Sequence, residues 1–295
     1  YLIFKPGSGN ILFAGSDGGI FKASLNGSIW TDLSAGLQVQ QIYKMSTSQD
    51  VDNFVVSGAQ DNGTNLLNGT SWNEIYGGDG CACFIDWSNN NTIVASYVYG
   101  DFQRSTNGGS SWTNIVTGLP AQTSANSPWV APIVQHPSQA NTYYCGYKQV
   151  YKSTNQGTSW TQIGTIGTNL DRIKIAPSNT NVIYVTASGA VYKTLNDGGT
   201  WSNVTGSIPV GLASITDITV DNLNENIVYV SLSGYSAGNK VYQSTNGGAT
   251  WSNYSTGIPN LPTQSIVYKN NSNNALYLGT DNGVFYRDGS MSSWI

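Results

Sequence analysis

Ser105-Thr106-Asn107-Gly108-Gly109-Ser110-Ser111-Trp112 is the stretch from which the fold of this chain can be deduced, because it recurs. The copies share the pattern Ser/Thr-x-Asn-x-Gly-x-Ser/Thr-Trp and are Ser153–Trp160, Thr194–Trp201 and Ser244–Trp251. Recurrence on this scale indicates one supersecondary unit that is copied along the chain.

Each residue type in the octad suits a turn that is followed by a strand. An asparagine can fold its side chain onto nearby backbone N–H groups and fix a tight turn. The glycine can adopt a positive φ at little cost, and the hydroxyl side chains can bond other backbone groups of the turn. The tryptophan carries a large apolar area, so we predict that it starts the next strand and is buried in the core.

Shorter or degenerate copies fill the rest of the chain, at Ser24–Trp30, Leu67–Trp72 and Asp288–Trp294. The seven tryptophans that end these copies are 40 to 50 residues apart, with a mean of 44; they are Trp30, Trp72, Trp112, Trp160, Trp201, Trp251 and Trp294. This period fits a propeller blade of four strands. We therefore predict an all-β, seven-bladed β-propeller of four-stranded antiparallel blades, with the seventh blade lacking its outer strand.

The octads resemble the Asp-box, or bacterial neuraminidase repeat, with asparagine at the usual aspartate position. In that family the box closes the turn between the third and fourth strands of a blade. It occurs in sialidases, xyloglucanases, sortilin-like ectodomains and a photosystem assembly propeller. The resemblance covers the whole chain and implies the fold, but it says little about activity because one fold hosts many functions.

The uninterrupted repeat predicts a single domain over residues 1–295, because repeats need their neighbours to bury their faces. The sequence begins with Tyr1 rather than methionine and ends one residue after a box tryptophan. We therefore expect an excerpt of a longer protein, whose flanking domains would be among its partners.

Composition favours a secreted or cell-surface protein. Only 9% of the 295 residues are charged and the formal net charge is −4, which gives no support for nucleic acid or an anionic membrane as partner. No run approaches the roughly 20 apolar residues of a membrane helix, so membrane insertion is not expected either.

The three cysteines, Cys81, Cys83 and Cys145, are expected to be small buried apolar residues. A disulfide between Cys145 and one of the other two is the alternative. His136 is the only histidine and lies in a turn, so no metal site and no cofactor are predicted. Calcium at acidic loops is left open, although no EF-hand pattern is present.

Each unit reads as an inner strand A, a polar turn, an apolar strand B, a loop, a strand C, the box and an outer strand D. The predicted A strands are 1–4, 41–45, 81–86, 130–135, 170–176, 215–220 and 264–269. The predicted B strands are 11–15, 54–58, 92–96, 142–146, 182–186, 227–231 and 275–279. Because strands alternate in direction, the D–A and B–C loops share one end of a blade, and the A–B turns and boxes share the other.

Ligands of such propellers usually bind at the D–A/B–C end, where this chain has acidic glycine-rich loops. The aspartates are Asp17, Asp61, Asp79, Asp101 and Asp281, and the neighbouring aromatic residues are Tyr97, Tyr99 and Trp129. The loops 60–63 and 77–80 resemble a pair met in secreted bacterial sortilin-like repeat proteins. Carboxylates beside aromatic rings are a common composition for sugar binding, so we predict a ligand site here. The simpler alternative is that Asp and Asn before Gly only form turns.

Three functions remain open from the sequence. The first is a non-catalytic binding module for a glycan or a protein. The second is a glycoside hydrolase that uses an aspartate pair, Asp61 and Asp79 being the first to test. The third is an assembly factor that binds a protein partner, for which we see no basic patch. A sialidase is not expected, because that activity in the resembling family needs an arginine triad at the channel mouth, whereas only Arg172 of the three arginines here falls on an inner strand.

Overall fold

Strands and turns account for almost all of the computed structural model, which describes residues 2–5, 10–16, 19–24, 30–33, 40–270, 272 and 274–295. Within these residues 27 strands form seven antiparallel sheets, six with four strands and one with three. In every sheet the strands are hydrogen-bonded in chain order.

The first three sheets contain β1 to β12. Sheet one has β1 (Leu2–Phe4), β2 (Ile11–Ser16), β3 (Gly19–Ser24) and β4 (Trp30–Asp32). Sheet two has β5 (Ile42–Thr47), β6 (Phe54–Ala59), β7 (Thr64–Asn68) and β8 (Ser71–Tyr76). Sheet three has β9 (Cys83–Ile85), β10 (Ile93–Tyr97), β11 (Asp101–Ser105) and β12 (Thr113–Asn114), with a 3₁₀ turn at Val98–Gly100.

The remaining four sheets contain β13 to β27. Sheet four has β13 (Ile133–Gln135), β14 (Tyr143–Gly146), β15 (Gln149–Ser153) and β16 (Thr161–Thr165). Sheet five has β17 (Leu170–Ile175), β18 (Ile183–Ala187), β19 (Ala190–Thr194) and β20 (Ser202–Asn203). Sheet six has β21 (Ile215–Val220), β22 (Val228–Leu232), β23 (Val241–Ser244) and β24 (Ser252–Asn253). Sheet seven has β25 (Thr263–Tyr268), β26 (Leu276–Thr280) and β27 (Gly283–Arg287).

The predicted strands agree with this topology. Every predicted A and B strand overlaps the first and second strand of its sheet, and the seventh sheet has three strands. The chain divides into two compact units, Tyr1–Asn114 and Ile115–Ile295. The single domain therefore stays a prediction, and the two units are described separately below.

The core lies between consecutive sheets of a unit and is built mainly from the first and second strands. All five residues of β18 are buried, as are all five of β22. Near-continuous apolar runs of this kind are expected where a sheet is covered on both faces. In the second unit, the buried residues of sheets five and six, including Tyr184, Val230 and Trp251, form one cluster.

The four complete boxes have one hydrogen-bond pattern, illustrated by Ser153–Trp160. The Ser153 Oγ accepts the N–H of Gly157 at 2.8 Å, and the Asn155 Oδ1 accepts the N–H of Ser159 at 3.0 Å. The equivalent bonds to glycine and to the residue before tryptophan occur in the other three boxes. The boxes thus stabilise the C–D turn, as the sequence predicted.

Each box is also fastened to the A–B turn of its own sheet. The N–H of the fourth box residue donates to a turn asparagine carbonyl at 2.8 to 2.9 Å; the pairs are Gly108–Asn91, Gln156–Asn141, Asp197–Asn181 and Gly247–Asn226. Boxes and A–B turns therefore lie at the same end of the sheets, opposite the D–A and B–C loops.

We expect Asn155→Ala to lower the free energy of unfolding by about 1–2 kcal/mol, the cost of losing a side-chain cap. Asn155→Asp keeps the Oδ1 acceptor that bonds Ser159 N–H, so its loss should be smaller. Urea unfolding of both variants measures the difference. Equal losses would show that the acceptor is not what stabilises the turn.

The tryptophans are less uniform than predicted. Trp160, Trp251 and Trp294 are buried, but Trp30 and Trp72 are 48% and 51% exposed. In the shorter copies the tryptophan is already paired within the hairpin, as Trp72 is with Leu67, whereas in a complete box it precedes the first strand pair. The prediction that all seven are equivalent core residues was therefore wrong for these two.

Four of the other tryptophans share an indole hydrogen bond. The Nε1 atoms of Trp112, Trp160, Trp251 and Trp294 donate to backbone carbonyls of the preceding sheet or of the segment that follows it, at 2.6 to 2.8 Å. In the part of the chain that the structure describes, the buried Trp201 Nε1 has no such partner.

Buried tyrosines on the second strands make the fold sensitive to alkaline pH. Tyr144, Tyr184 and Tyr229 are fully buried, and burial raises the pKa of each phenol. The unfolded chain loses these protons from about pH 10, whereas the folded chain keeps them. The contribution of these phenols to the free energy of unfolding should thus be fully present below about pH 10 and be lost as the pH rises further.

Melting temperatures between about pH 8 and pH 11, with tyrosinate absorbance followed in parallel, measure this effect. Tyr184→Phe should make the alkaline loss smaller, because it removes one of the phenols. Exposed tyrosines ionise near pH 10 in the folded protein as well, so the decisive signal is the absorbance that Tyr184→Phe removes. If that part appears well before unfolding, Tyr184 ionises in the folded protein and the prediction is contradicted.

The three cysteines are free and buried, so the alternative disulfide does not form. Burial raises the pKa of the Cys81 and Cys83 thiols to about 12. A thiol held neutral in this way is a poor nucleophile, which fits the predicted packing role.

Candidate functional site

The two acidic loops of the first unit pack directly on one another. Residues 60–63 join β6 to β7, and residues 77–82 lead from β8 to β9. Three backbone N–H groups join the two loops; they are Asp61 N to Asp79 Oδ1 at 3.0 Å, Gly63 N to Gly78 O at 2.8 Å and Gly80 N to Ala59 O at 3.0 Å. We call this pair the interlocked loops.

Asp61 and Asp79 are held in this structure by different means. Asp61 is exposed and has a left-handed backbone, with φ of 58°. The preceding Gln60 is fixed by the Tyr43 hydroxyl, which donates to its Oε1 at 2.6 Å. The Asp79 carboxylate accepts the Asp61 N–H. Asp61 and Asp79 are the pair that the sequence predicted, and the structure places them in contact.

Two tyrosines lie close to the loops. The Tyr97 ring packs against Gly78, where a Cβ would lie 2.9 Å from its Cε2 atom, and the side chain is 38% exposed. Tyr99 follows within the 3₁₀ turn and has φ of 59°. A left-handed backbone is uncommon for a residue of this size and is often found at functional sites.

Asp101 belongs to the outer part of sheet three. Its Oδ1 accepts from Gln103 Nε2 at 3.1 Å and from Asn114 Nδ2 at 2.9 Å. Burial and the Asp101 charge raise the pKa of Tyr76. The Asp101 carboxylate is thus tied to the third and fourth strands of its sheet, a detail that the loop composition did not predict.

The other predicted site residues lie elsewhere. Asp281 and Trp129 are in the second unit, where Asp281 accepts from Gln264 Nε2 at 2.9 Å and Trp129 is 41% exposed. Asp17 lies outside the described residues. A common site for all eight residues therefore stays a prediction.

Glu74 is a neighbour of the interlocked loops that the sequence did not predict. It lies on β8, but its Oε1 is 2.9 Å from the Cβ position of Gly63 and 3.1 Å from that of Gly77. The register of β7 and β8 shifts between Thr64 and Asn65, which changes how the side chains of β8 are aimed. No sequence signal marks that shift.

The arrangement can accept hydrogen bonds and offer an aromatic surface. Glu74, Asp61 and Asp79 supply carboxylate oxygens in and beside the interlocked loops, and the Tyr97 ring packs against Gly78 of the same loops. Among the described residues, no three His, Cys, Asp or Glu side chains are grouped closely enough to hold a metal ion.

Comparison with known proteins supports the fold. Residues 148–276 match the family model "Sortilin, neurotensin receptor 3" of the Sortilin-Vps10 family. No curated protein matches the sequence. Within the described residues, no helix is long and apolar enough to span a membrane.

Three solved structures illustrate the structural likeness. The GH74 xyloglucanase from Xanthomonas campestris is 14% identical with a TM-score of 0.68, and the match covers 97% of this chain and 51% of that one. YCF48 from Cyanidioschyzon merolae is 14% identical with a TM-score of 0.62, covering 97% and 94%. An extracellular domain of a one-component system from B. thetaiotaomicron is 13% identical with a TM-score of 0.61, covering 88% and 33%.

The chain thus spans about half of the xyloglucanase and a third of the sensor domain. At these identities the likeness concerns the fold alone, and the neighbours include both enzymes and proteins that are not enzymes. Together with the four complete boxes and the seven sheets, these matches show an all-β fold of the β-propeller kind, whose boxes resemble the Asp-box repeat.

Proposed function

We propose that this chain is a non-catalytic binding module of a secreted or cell-surface protein, and that its seven sheets are the blades of one propeller. Seven consecutive sheets and the match to YCF48 over 97% of the chain support the blade count. The extracellular neighbour and the low content of charged residues support the location.

The interlocked loops are the ligand site in this proposal, and a glycan is the ligand that their chemistry fits best. Carboxylate oxygens accept hydrogen bonds from sugar hydroxyls. The partly exposed Tyr97 ring can cover the apolar face of a sugar ring. The single observation that carries the proposal is the contact of Asp61 with Asp79 beside Tyr97.

Binding fits the local contacts better than hydrolysis. A glycosidase needs one carboxylic acid that donates a proton to the leaving oxygen. The Asp79 carboxylate instead accepts a backbone N–H, and the Asp101 carboxylate accepts two amide N–H groups. Hydrolysis through Asp61 and Asp79 is therefore the alternative that the experiment below must exclude.

We expect the Asp61→Asn, Asp79→Asn double variant to bind glycans at least about tenfold more weakly than the wild type. Hydrogen bonds to charged groups contribute about 1.5–3 kcal/mol, and a factor of ten is about 1.4 kcal/mol. Asparagine at position 79 can still accept the Asp61 N–H, so the loops should remain interlocked. A glycan array followed by calorimetry on the best ligand measures the change.

Asp52→Asn is the matched control, because Asp52 is exposed in the A–B turn at the other end of the same sheet. It should bind like the wild type. A hydrolysis assay on polysaccharides, including xyloglucan, is run in parallel. Hydrolysis that the double variant loses would establish the glycosidase, and binding that the double variant retains would move the ligand away from these loops.

A further inference from the structure

The second unit contains a loop that is longer than its equivalents. Residues 233–240 connect β22 to β23, whereas two residues make the same connection in the other sheets of this unit, at 147–148, 188–189 and 281–282. The insertion also lengthens the spacing of the repeat, because Trp201 and Trp251 are separated by the longest interval of the seven box tryptophans.

A buried lysine at the end of the insertion is hydrogen-bonded to its beginning. Lys240 is fully buried, and its Nζ donates to the Gly234 carbonyl at 2.7 Å. Burial lowers the pKa of this ammonium group. The Lys240 side chain thereby connects the end of the insertion to its beginning.

The polar groups of the insertion are used internally. Asn239 Nδ2 donates to Ser236 Oγ at 3.0 Å, and Asn239 Oδ1 accepts from the Tyr242 hydroxyl at 2.6 Å. Asn253 Nδ2 donates to the Gly238 carbonyl at 2.6 Å. These contacts hold the loop in one conformation, which lowers the entropy lost when a partner binds.

Apolar side chains point outward from the same place. Tyr235 is 69% exposed, Leu212 is 64% exposed and Val210 is 37% exposed. The two loops that carry them are neighbours, because Ser233 N donates to Ser214 O at 2.9 Å and a Cβ on Gly234 would lie 3.6 Å from that of Ala213. We call Val210, Leu212 and Tyr235 the Tyr235 patch.

The patch has no charge of its own, since residues 205–216 and 231–239 contain no Asp, Glu, Lys or Arg. We propose that the Tyr235 patch is a docking surface for an uncharged, apolar segment of a protein partner. Aromatic residues are enriched, and most charged residues depleted, at the centre of protein interfaces. A sugar would need polar groups around the tyrosine, whereas the amide of Asn239 and the hydroxyl of Ser236 are already hydrogen-bonded to each other.

The test uses the whole chain and a phage-displayed library of random peptides as the probe. We expect the wild type to enrich uncharged peptides rich in apolar residues. Tyr235→Ala and Leu212→Ser should each lower the affinity of the chain for the selected peptides at least tenfold. Both residues are exposed, so the melting temperature should not change.

Leu223→Ser is the matched control, because Leu223 is 75% exposed but lies in an A–B turn at the opposite end of the sheet. It should bind the selected peptides like the wild type. The proposal would be overturned if no peptides are enriched, or if the enriched peptides bind Tyr235→Ala and Leu212→Ser as tightly as the wild type. If the wild type binds neutral glycans and Tyr235→Ala does not, the patch is a sugar site instead. If the wild type self-associates in ultracentrifugation and Leu212→Ser does not, the patch binds a second copy of the chain.

Discussion

Trp160→Ala is expected to lower the free energy of unfolding by about 3–5 kcal/mol, the range for truncating a buried aromatic residue. Trp160 is 6% exposed, and its Nε1 donates to the Ile115 carbonyl at 2.6 Å. Its backbone N–H also donates to Thr117 O at 3.1 Å. Truncation would leave a cavity and an unpaired carbonyl between the segment after sheet three and sheet four. Denaturant unfolding of the purified variant measures the loss.

Trp72→Ala provides the control for this prediction. Trp72 also ends a copy of the repeat, but it is 51% exposed, so its loss should cost less than about 1 kcal/mol. Similar losses for the two variants would mean that the difference between complete and shortened boxes has no energetic consequence. Glycan binding should survive in both variants, because the boxes lie at the other end of the sheets.

The repeat explains why the fold could be predicted from the sequence so fully. Each copy of the box sets one turn, and the apolar run before it sets a strand covered on both faces. Local chemistry and the period therefore point to the same structure. The predicted burial was wrong for the tryptophans that end the shortened copies. There a one-residue deletion places the tryptophan inside the strand pairing, as it does for Trp72.

The candidate site was only partly predictable. The glycine-rich loops were found because Asp-Asn-Gly and Gly-Asp-Gly are strong turn signals. Their contact depends on backbone atoms, such as Gly63 N and Gly78 O, which leave no mark on composition. The positions of Glu74 and Asp101 depend on strand register and on neighbours across the sheet, which are tertiary properties.

The insertion in sheet six illustrates the same limit. Its length is visible in the spacing of the boxes, because Trp201 and Trp251 are the farthest apart. The burial of Lys240 is not visible in this way, because a lysine between a glycine-rich loop and a strand is ordinarily assigned to the surface. The feature that makes the loop rigid is therefore the one that only coordinates reveal.

Gly80→Ala is expected to cost about 3 kcal/mol or more of stability and to abolish ligand binding by the interlocked loops. A Cβ at this position would lie 2.0 Å from the Gly63 carbonyl oxygen and 2.7 Å from the Ala59 nitrogen. Overpacking a well-filled site costs about 1–3 kcal/mol, and here the obstructing atoms are backbone atoms that cannot change rotamer. Thermal unfolding and glycan binding are both measured on the variant.

The expected mechanism is separation of the two loops, because relief of the clash requires Gly80 to move away from Ala59 and so breaks the Gly80 N to Ala59 O bond. Gly211→Ala is the control, since nothing lies within 4 Å of its Cβ position, and it should change stability by no more than about 1 kcal/mol. A stable Gly80→Ala protein that still binds would mean that loop contact is unnecessary for the site. A destabilised protein that binds normally once folded would place the ligand away from Asp61 and Asp79.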